Sequence, residues 1–128
     1  MISYNKDGFV KDGKSWFPVM GEYQYSRSDA RYWAEGMAKM KALGVDVVAS
    51  YSFWIHHEEI ESHYNFRGNN NLRKFVRTVK ESGMLMCLRI GPWVHGEARN
   101  GGFPDWIYNK GYRLRSNDAG YMRAVRRY

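Results

Sequence analysis

The sequence contains only one cysteine, Cys87, and it has no apolar run as long as the ~18–20 residues that a transmembrane helix needs. A single cysteine excludes an internal disulfide framework and a cysteine-rich zinc site. Because Cys87 lies between Met86 and Leu88, we expect it to be a small buried apolar group. The N-terminus has no basic patch followed by an apolar stretch, so no signal peptide is predicted. The cellular location stays open, and so does export of a longer protein containing this chain.

Motifs for nucleotide binding and for serine or cysteine nucleophiles are also missing. Acidic residues are fewer than basic ones, 13 against 20, which gives a formal charge of +7. Most of that excess lies between Lys110 and Tyr128 rather than in a stripe across the fold, which argues against a nucleic-acid-binding surface. We therefore predict neither a nucleic-acid partner nor a cofactor. The composition is 44% hydrophobic and 16% aromatic, which indicates a folded chain.

A helix, a glycine, an apolar strand and a long polar loop follow one another twice along the chain. The spacing of apolar residues predicts helices over about residues 30–43, 71–82 and 118–128. Gly44 and Gly83 are expected to end the first two helices. The strands that follow these two helices are predicted over residues 45–51 and 84–90. This alternation implies right-handed crossovers and a parallel sheet.

Local signals place the first elements. Asp12-Gly13 is a two-residue turn signal between apolar flanks and predicts a hairpin over residues 9–17. A short strand is expected over residues 17–23. Ser28 or Asp29 is expected to cap the first helix, because both side chains can accept a hydrogen bond from a free backbone N–H group.

The long loops follow the C-terminal ends of the strands, where β/α barrels hold their sites. A complete (β/α)8 barrel takes about 250 residues, so 128 residues can hold only part of one. We predict an α/β fold, a partial (β/α)8 TIM barrel with about its first three βα units and an N-terminal hairpin. Residues 1–128 then form an N-terminal fragment of the barrel domain. Its open sheet edge is expected to meet the remainder of its own barrel.

Two residues at or after the C-terminal ends of the predicted strands are candidates for binding a sugar. Glu97 lies in a loop rich in glycine and tryptophan, where aromatic faces suit a sugar ring and a carboxylate can accept two hydroxyl hydrogen bonds. The alternative for Glu97 is a salt bridge to Arg99 or Arg89. Tyr51 ends the first apolar strand, and its hydroxyl can bind a sugar hydroxyl. The alternative is a rim aromatic whose hydroxyl is satisfied by the backbone.

The loop over residues 52–70 concentrates histidine and glutamate. A metal site is one hypothesis, but the loop lacks H-E-x-x-H and its histidine spacing fits no common zinc site. We favour a polar loop in which one or two carboxylates support the top of the barrel, and we predict no metal. Glu22 can lie at the barrel mouth or pack internally, and Asp46 is interpreted as structural. The polar side chains of the loop are His56, His57, Glu58, Glu59, Glu61 and His63.

Three groups of short motifs carry a family resemblance. They are Gly21-Glu22-Tyr23-Gln24-Tyr25-Ser26-Arg27; Tyr51-Ser52-Phe53-Trp54 with His57-Glu58; and Leu88-Arg89-Ile90-Gly91-Pro92-Trp93 with Glu97 and Gly101-Gly102-Phe103-Pro104-Asp105-Trp106. In this order and spacing, the chain from about Phe17 to Tyr128 resembles glycoside hydrolase family 35, the β-galactosidase family. It departs from that family at Glu59, where proline is usual, and at Ala98, where tryptophan is usual.

The resemblance implies an (α/β)8 barrel and retaining hydrolysis by two glutamates. In the family the acid/base lies in a later Asn-Glu motif and the nucleophile later still, and this chain has no Asn-Glu pair. The resemblance therefore implies that both catalytic glutamates lie beyond Tyr128 and that this chain holds none. The tyrosine and glutamate matching Tyr51 and Glu97 bind galactose in the family, and the residue matching Gly96 contributes a backbone contact.

The function implied is part of a β-galactosidase-like glycosidase that cleaves terminal β-galactosyl or related residues from glycans. The substrate expected is a galactoside-like carbohydrate. A chain without both catalytic glutamates is expected to be inactive alone. The alternative is a non-catalytic carbohydrate-binding remnant of the same barrel.

Overall fold

The computed structural model describes residues 1–128, and an antiparallel three-stranded sheet forms its N-terminus. The strands are β1 (Ile2–Asn5), β2 (Gly8–Lys11) and β3 (Lys14–Ser15). The predicted turn is confirmed: Asp12 and Gly13 have φ of 50° and 80°, the left-handed values that a tight hairpin needs. β3 is shorter than predicted, and β1 was not predicted at all.

A second, parallel sheet has the order β4-β5-β6 and confirms the α/β prediction. Its strands are β4 (Met20–Glu22), β5 (Val47–Tyr51) and β6 (Leu85–Arg89), each inside its predicted range. Asp46, just before β5, accepts a hydrogen bond from the backbone N–H of Val19 at 3.0 Å. The structural interpretation of Asp46 is therefore confirmed.

Two ten-residue helices follow β4 and β5. They are α1 (Trp33–Ala42) and α3 (Leu72–Glu81), and Gly44 and Gly83 end them with φ of 84° and 71°. Neither predicted cap of α1 is realised, because the helix begins only at Trp33. Asp29 accepts from the backbone and guanidinium of Arg31, and Ser28 Oγ donates to the Gln24 carbonyl at 3.4 Å. A short helix inside the loop after β5, α2 (Trp54–His57), was not predicted.

The C-terminal segment contains α4 (Asp105–Tyr108) and α5 (Ala119–Arg127). The predicted third helix is confirmed as α5, which Asp118 caps by accepting from Tyr121 N–H at 2.8 Å. α5 packs with α2 and α4 in a small second core. That core consists of Trp54, Phe103, Ile107, Tyr121 and Ala124. No helix of the chain combines the length and the apolar character needed to cross a lipid bilayer.

The parallel sheet has one covered face and one open face. Val48 packs with Phe75 of α3 in the main core, and Phe75 stacks on the ring of Tyr25 with 5.1 Å between centroids. Side chains alternate along a strand, so positions in register with Val47 lie on the opposite face. There Met20 and Leu85 are 56% and 38% exposed. Cys87 lies on this open face and is half-buried, so it is more exposed than the buried group that we expected.

Candidate functional site

The C-terminal ends of β4, β5 and β6 bring Glu22, Tyr51 and Arg89 together. Tyr51 and Arg89 are register partners, and the Arg89 guanidinium lies 3.6 Å from the centre of the Tyr51 ring. Arg89 also forms an ion pair with Glu22. Partial burial opposes ionisation of Glu22, but hydrogen bonds from Arg89 and Gln24 hold the pKa of its carboxyl below the ordinary value. Glu22 therefore lies exposed at the C-terminal end of β4, in its ionised form.

The hydroxyl of Tyr51 has no hydrogen-bond partner within the chain, whereas its backbone N–H donates to Gln24 Oε1 at 3.2 Å. The Arg89 guanidinium on one side and Phe53, with 5.8 Å between ring centroids, flank the Tyr51 ring. The alternative interpretation, a hydroxyl satisfied by the backbone, is not realised in this structure. Tyr51 thus presents an oriented ring with an unused hydroxyl.

Gly96 brings the loop after β6 against the ring of Tyr51. A Cβ at this position would lie 2.9 Å from Phe53 Cζ and 3.1 Å from Tyr51 Cδ2, so any side chain would collide with two rings. The Gly96 carbonyl accepts a hydrogen bond from Arg27 Nη2 at 2.7 Å. Arg27 also lies over the Phe53 ring at 4.9 Å, a cation–π arrangement. These contacts therefore fix the backbone of Gly96, the residue before Glu97.

Glu97 is exposed and has φ of 52°, in the left-handed region that non-glycine residues seldom adopt. Its carboxylate makes no hydrogen bond or ion pair within the chain. The alternative salt bridges are absent, because Arg89 pairs with Glu22 and Arg99 with Asp105. Glu97 lines a cleft of about 650 Å³. The structure thus brings Gly96 against Tyr51 and places Glu97, the next residue, in the wall of this cleft, which Tyr51 does not line.

Glu58 is fully buried and supports the loop after β5. Trp54 Nε1 donates to its Oε2 at 2.6 Å, while Ser62 N–H and Arg127 Nη2 donate to Oε1 at 2.7 and 2.9 Å. Three donors from three parts of the chain thus satisfy one buried carboxylate, as buried charge requires. The interpretation of a supporting carboxylate in this loop is confirmed. No group of three or more histidine, cysteine, aspartate or glutamate side chains is arranged to hold a metal ion.

His57 is equally buried and holds a fixed tautomer. Its Nδ1 lies 2.9 Å from the Asn65 carbonyl oxygen, which can only accept, so Nδ1 carries the proton. Nε2 then accepts from the Tyr25 hydroxyl. Burial lowers the pKa of His57 and raises that of Tyr25 to about 12, which keeps both side chains neutral near pH 7. The pair joins the loop after β4 to the loop after β5.

Arg27 and Gln24 contact the site but were not among the predicted site residues. Both follow the C-terminal end of β4, which is where barrel enzymes place functional side chains. Their position after β4 could therefore have marked them as candidate site residues. Their partners, Gly96 and Tyr51, lie 69 and 27 residues further along the chain, which no local pattern reveals.

Comparisons with known proteins give a consistent result. The family described as "Glycosyl hydrolases family 35" matches residues 8–128. The β-galactosidase of Homo sapiens is 36% identical over 125 residues, which cover 97% of this chain and 18% of that protein. "Beta-galactosidase 7" of Oryza sativa subsp. japonica is 39% identical over 108 residues, or 84% of this chain and 14% of the rice protein. "Beta-galactosidase 8" of Arabidopsis thaliana is 35% identical over 128 residues, which cover 99% of this chain and 15% of that protein. The chain therefore spans less than a fifth of the length of these relatives.

Proposed function

Because the chain belongs to glycosyl hydrolases family 35, we propose that residues 1–128 are the N-terminal part of the catalytic (β/α)8 TIM barrel of a retaining β-galactosidase. The parallel order β4-β5-β6, with α1 and α3 on one face, supports the first βα units of such a barrel. The open face with exposed Met20 and Leu85 supports completion by the remainder of the barrel. The relatives of which the chain covers a small part are β-galactosidases by name, which supports the enzyme class.

The substrate we propose is the terminal β-galactosyl residue of a glycan, bound by Tyr51, Gly96 and Glu97. The observation that carries this assignment is the unpaired carboxylate of Glu97 beside the contact between Gly96 and Tyr51. A carboxylate accepts two sugar hydroxyls, and the Tyr51 hydroxyl is free to donate to or accept from a third. Arg27 holds the loop at Gly96, and Arg89 lies over the ring of Tyr51. These residues therefore need little further ordering when a sugar binds.

Two further carboxylates at this end of the sheet, Glu22 and Glu58, do not suit catalysis. Retaining hydrolysis needs two carboxyl groups about 5–5.5 Å apart, one as acid and one as nucleophile. Glu58 is fully buried with three donors, and Glu22 is paired with Arg89. Because the family resemblance implies that the acid and the nucleophile lie after Tyr128, we assign substrate binding to this part of the barrel and both catalytic groups to strands outside residues 1–128.

The proposal is tested by comparing turnover of an aryl β-galactoside by the 128-residue chain and by the complete protein that contains it. We expect turnover by the complete protein only, with circular dichroism as the check that the shorter chain is folded. Turnover by the 128-residue chain that is lost on Glu97→Gln would contradict the assignment of roles. Galactose binding by the complete protein without any cleavage would instead favour the non-catalytic carbohydrate-binding remnant.

A further inference from the structure

The side chain of Phe53 lies where the loops after β4, β5 and β6 meet. Phe53 is the residue before α2, in the loop after β5, and it is fully buried. The guanidinium of Arg27, in the loop after β4, lies 4.9 Å from the centre of its ring. Two glycines of the loop after β6 approach the same ring. A Cβ on Gly96 would lie 2.9 Å from Phe53 Cζ, and a Cβ on Gly102 would lie 3.5 Å from Phe53 Cδ1.

Neighbouring rings restrict the position of the Phe53 side chain. The centre of its ring lies 5.8 Å from that of Tyr51 and 5.0 Å from that of His56. His56 is itself held, because its Nδ1 lies 2.8 Å from the hydroxyl oxygen of Ser26. A side chain packed on all sides cannot shift unless its neighbours move as well. The Phe53 ring is therefore a fixed surface against which the loop after β6 packs.

The Phe53 ring, and not the backbone conformation, explains why residue 96 has no side chain. Gly96 does not have a positive φ, so its backbone conformation is open to alanine. A Cβ would, however, lie 2.9 and 3.0 Å from two atoms of Phe53 and 3.1 Å from Tyr51 Cδ2. Carbon atoms in favourable contact are about 3.5–4.0 Å apart. The ring thus determines how closely the loop can approach Tyr51.

Glu97 is the residue through which this contact reaches the substrate site. It follows Gly96 directly, and its own φ of 52° leaves the backbone little freedom to adjust. No hydrogen bond or ion pair within the chain holds its carboxylate. The placement of that carboxylate therefore depends on the backbone at Gly96, which packs against Phe53 and accepts a hydrogen bond from Arg27.

From these contacts we infer that Phe53 is a positioning residue for substrate binding, because its buried ring fixes the backbone at Gly96 and thereby places Glu97 relative to Tyr51. The inference rests on the proposed function and adds to it a residue that makes no contact with the sugar. Phe53 is fully buried and does not line the cleft, so it acts only through its neighbours. A displacement of about 1 Å in a substrate site lowers the rate about 10²-fold.

Exchanging volume between residues 53 and 96 tests the inference in the complete protein. Gly96→Ala should lower kcat/KM for a β-galactoside about 10²-fold, because the added methyl group displaces the loop from the Phe53 ring. Phe53→Leu should lower kcat/KM about tenfold, because the smaller side chain fixes the loop less well. In the Phe53→Leu background, Gly96→Ala should cause little further loss, because the space for its methyl group is then free.

Phe75→Leu is the matched control for loss of a buried ring. Phe75 is as fully buried as Phe53, but it packs in the main core, away from Gly96. This variant should have a lower melting temperature and an unchanged kcat/KM. Thermal unfolding of every variant separates an effect on folding from an effect on substrate binding.

An equal loss from Gly96→Ala in the presence and absence of Phe53→Leu would overturn the inference, since independent sites give additive effects. If Gly96→Ala does not fold, Phe53→Leu decides alone, and a normal kcat/KM in that variant contradicts a positioning role. If the unsubstituted protein does not cleave the β-galactoside, the proposed function fails and the inference fails with it. Cleavage by the unsubstituted protein with additive losses would refute the role of Phe53 only.

Discussion

Replacing Glu97 by glutamine is expected to lower kcat/KM for a β-galactoside about 10²- to 10⁴-fold in the complete protein. A hydrogen bond to a charged group contributes about 1.5–3 kcal/mol, and the proposed role gives Glu97 two of them. The Glu97 side chain has no partner in the chain, so the substitution removes no internal contact. Glutamine has the same shape, and its backbone meets the same φ of 52°. The loss should therefore be one of substrate binding and not of folding.

Glu81→Gln is the matched control, since Glu81 is an exposed carboxylate at the end of α3, away from the C-terminal ends of the strands. It should leave kcat/KM unchanged. Steady-state kinetics measures kcat/KM of both variants, and thermal unfolding checks that both are folded. Near-normal kcat/KM in Glu97→Gln would remove Glu97 from the substrate site.

Replacing Glu58 by alanine is expected to lower the free energy of unfolding by about 3–5 kcal/mol. The substitution leaves the buried Trp54 indole N–H and the Ser62 N–H without acceptors, at about 1–3 kcal/mol each, and it adds a cavity. It also breaks the contact with Arg127, which ties α5 to the loop after β5. Urea-induced unfolding measures the change.

Glu61→Ala is the control for this experiment. Glu61 lies 3.8 Å from the same Arg127 and also pairs with Lys110, but it is partly exposed. Exposed pairs contribute about 0–1 kcal/mol, so this variant should stay near the stability of the unsubstituted protein. Equal losses from Glu58→Ala and Glu61→Ala would show that the buried hydrogen bonds of Glu58 do not support the loop.

The regular elements were predictable where apolar spacing or a glycine marked them. Gly44 and Gly83 end helices as predicted, because glycine adopts positive φ at low cost. The start of α1 was not predictable from Asp29 alone. Its carboxylate can cap a helix or bind Arg31, and the choice depends on the path of the chain over several residues. The short helix α2 has no periodicity long enough to detect, so residues 52–70 gave no sign of it.

The site was predictable in part. Tyr51 and Glu97 could be placed near the same end of the sheet because Tyr51 ends one parallel strand and Glu97 follows the next. Their exact relation could not, since it depends on Gly96 fitting between the rings of Tyr51 and Phe53. The role of Arg27 is a contact between residues 69 positions apart. Such contacts are set by the tertiary fold, and a single sequence contains no local trace of them.

The most direct test of the central claim is to label the nucleophile of the complete protein. A galactosyl fluoride with fluorine in place of the 2-hydroxyl traps the covalent glycosyl-enzyme intermediate of a retaining glycosidase, and mass spectrometry of the digested protein locates the labelled glutamate. We expect the label on a peptide outside residues 1–128. A label on Glu97, Glu22 or another glutamate of this chain would contradict the division between substrate binding here and catalysis elsewhere in the barrel.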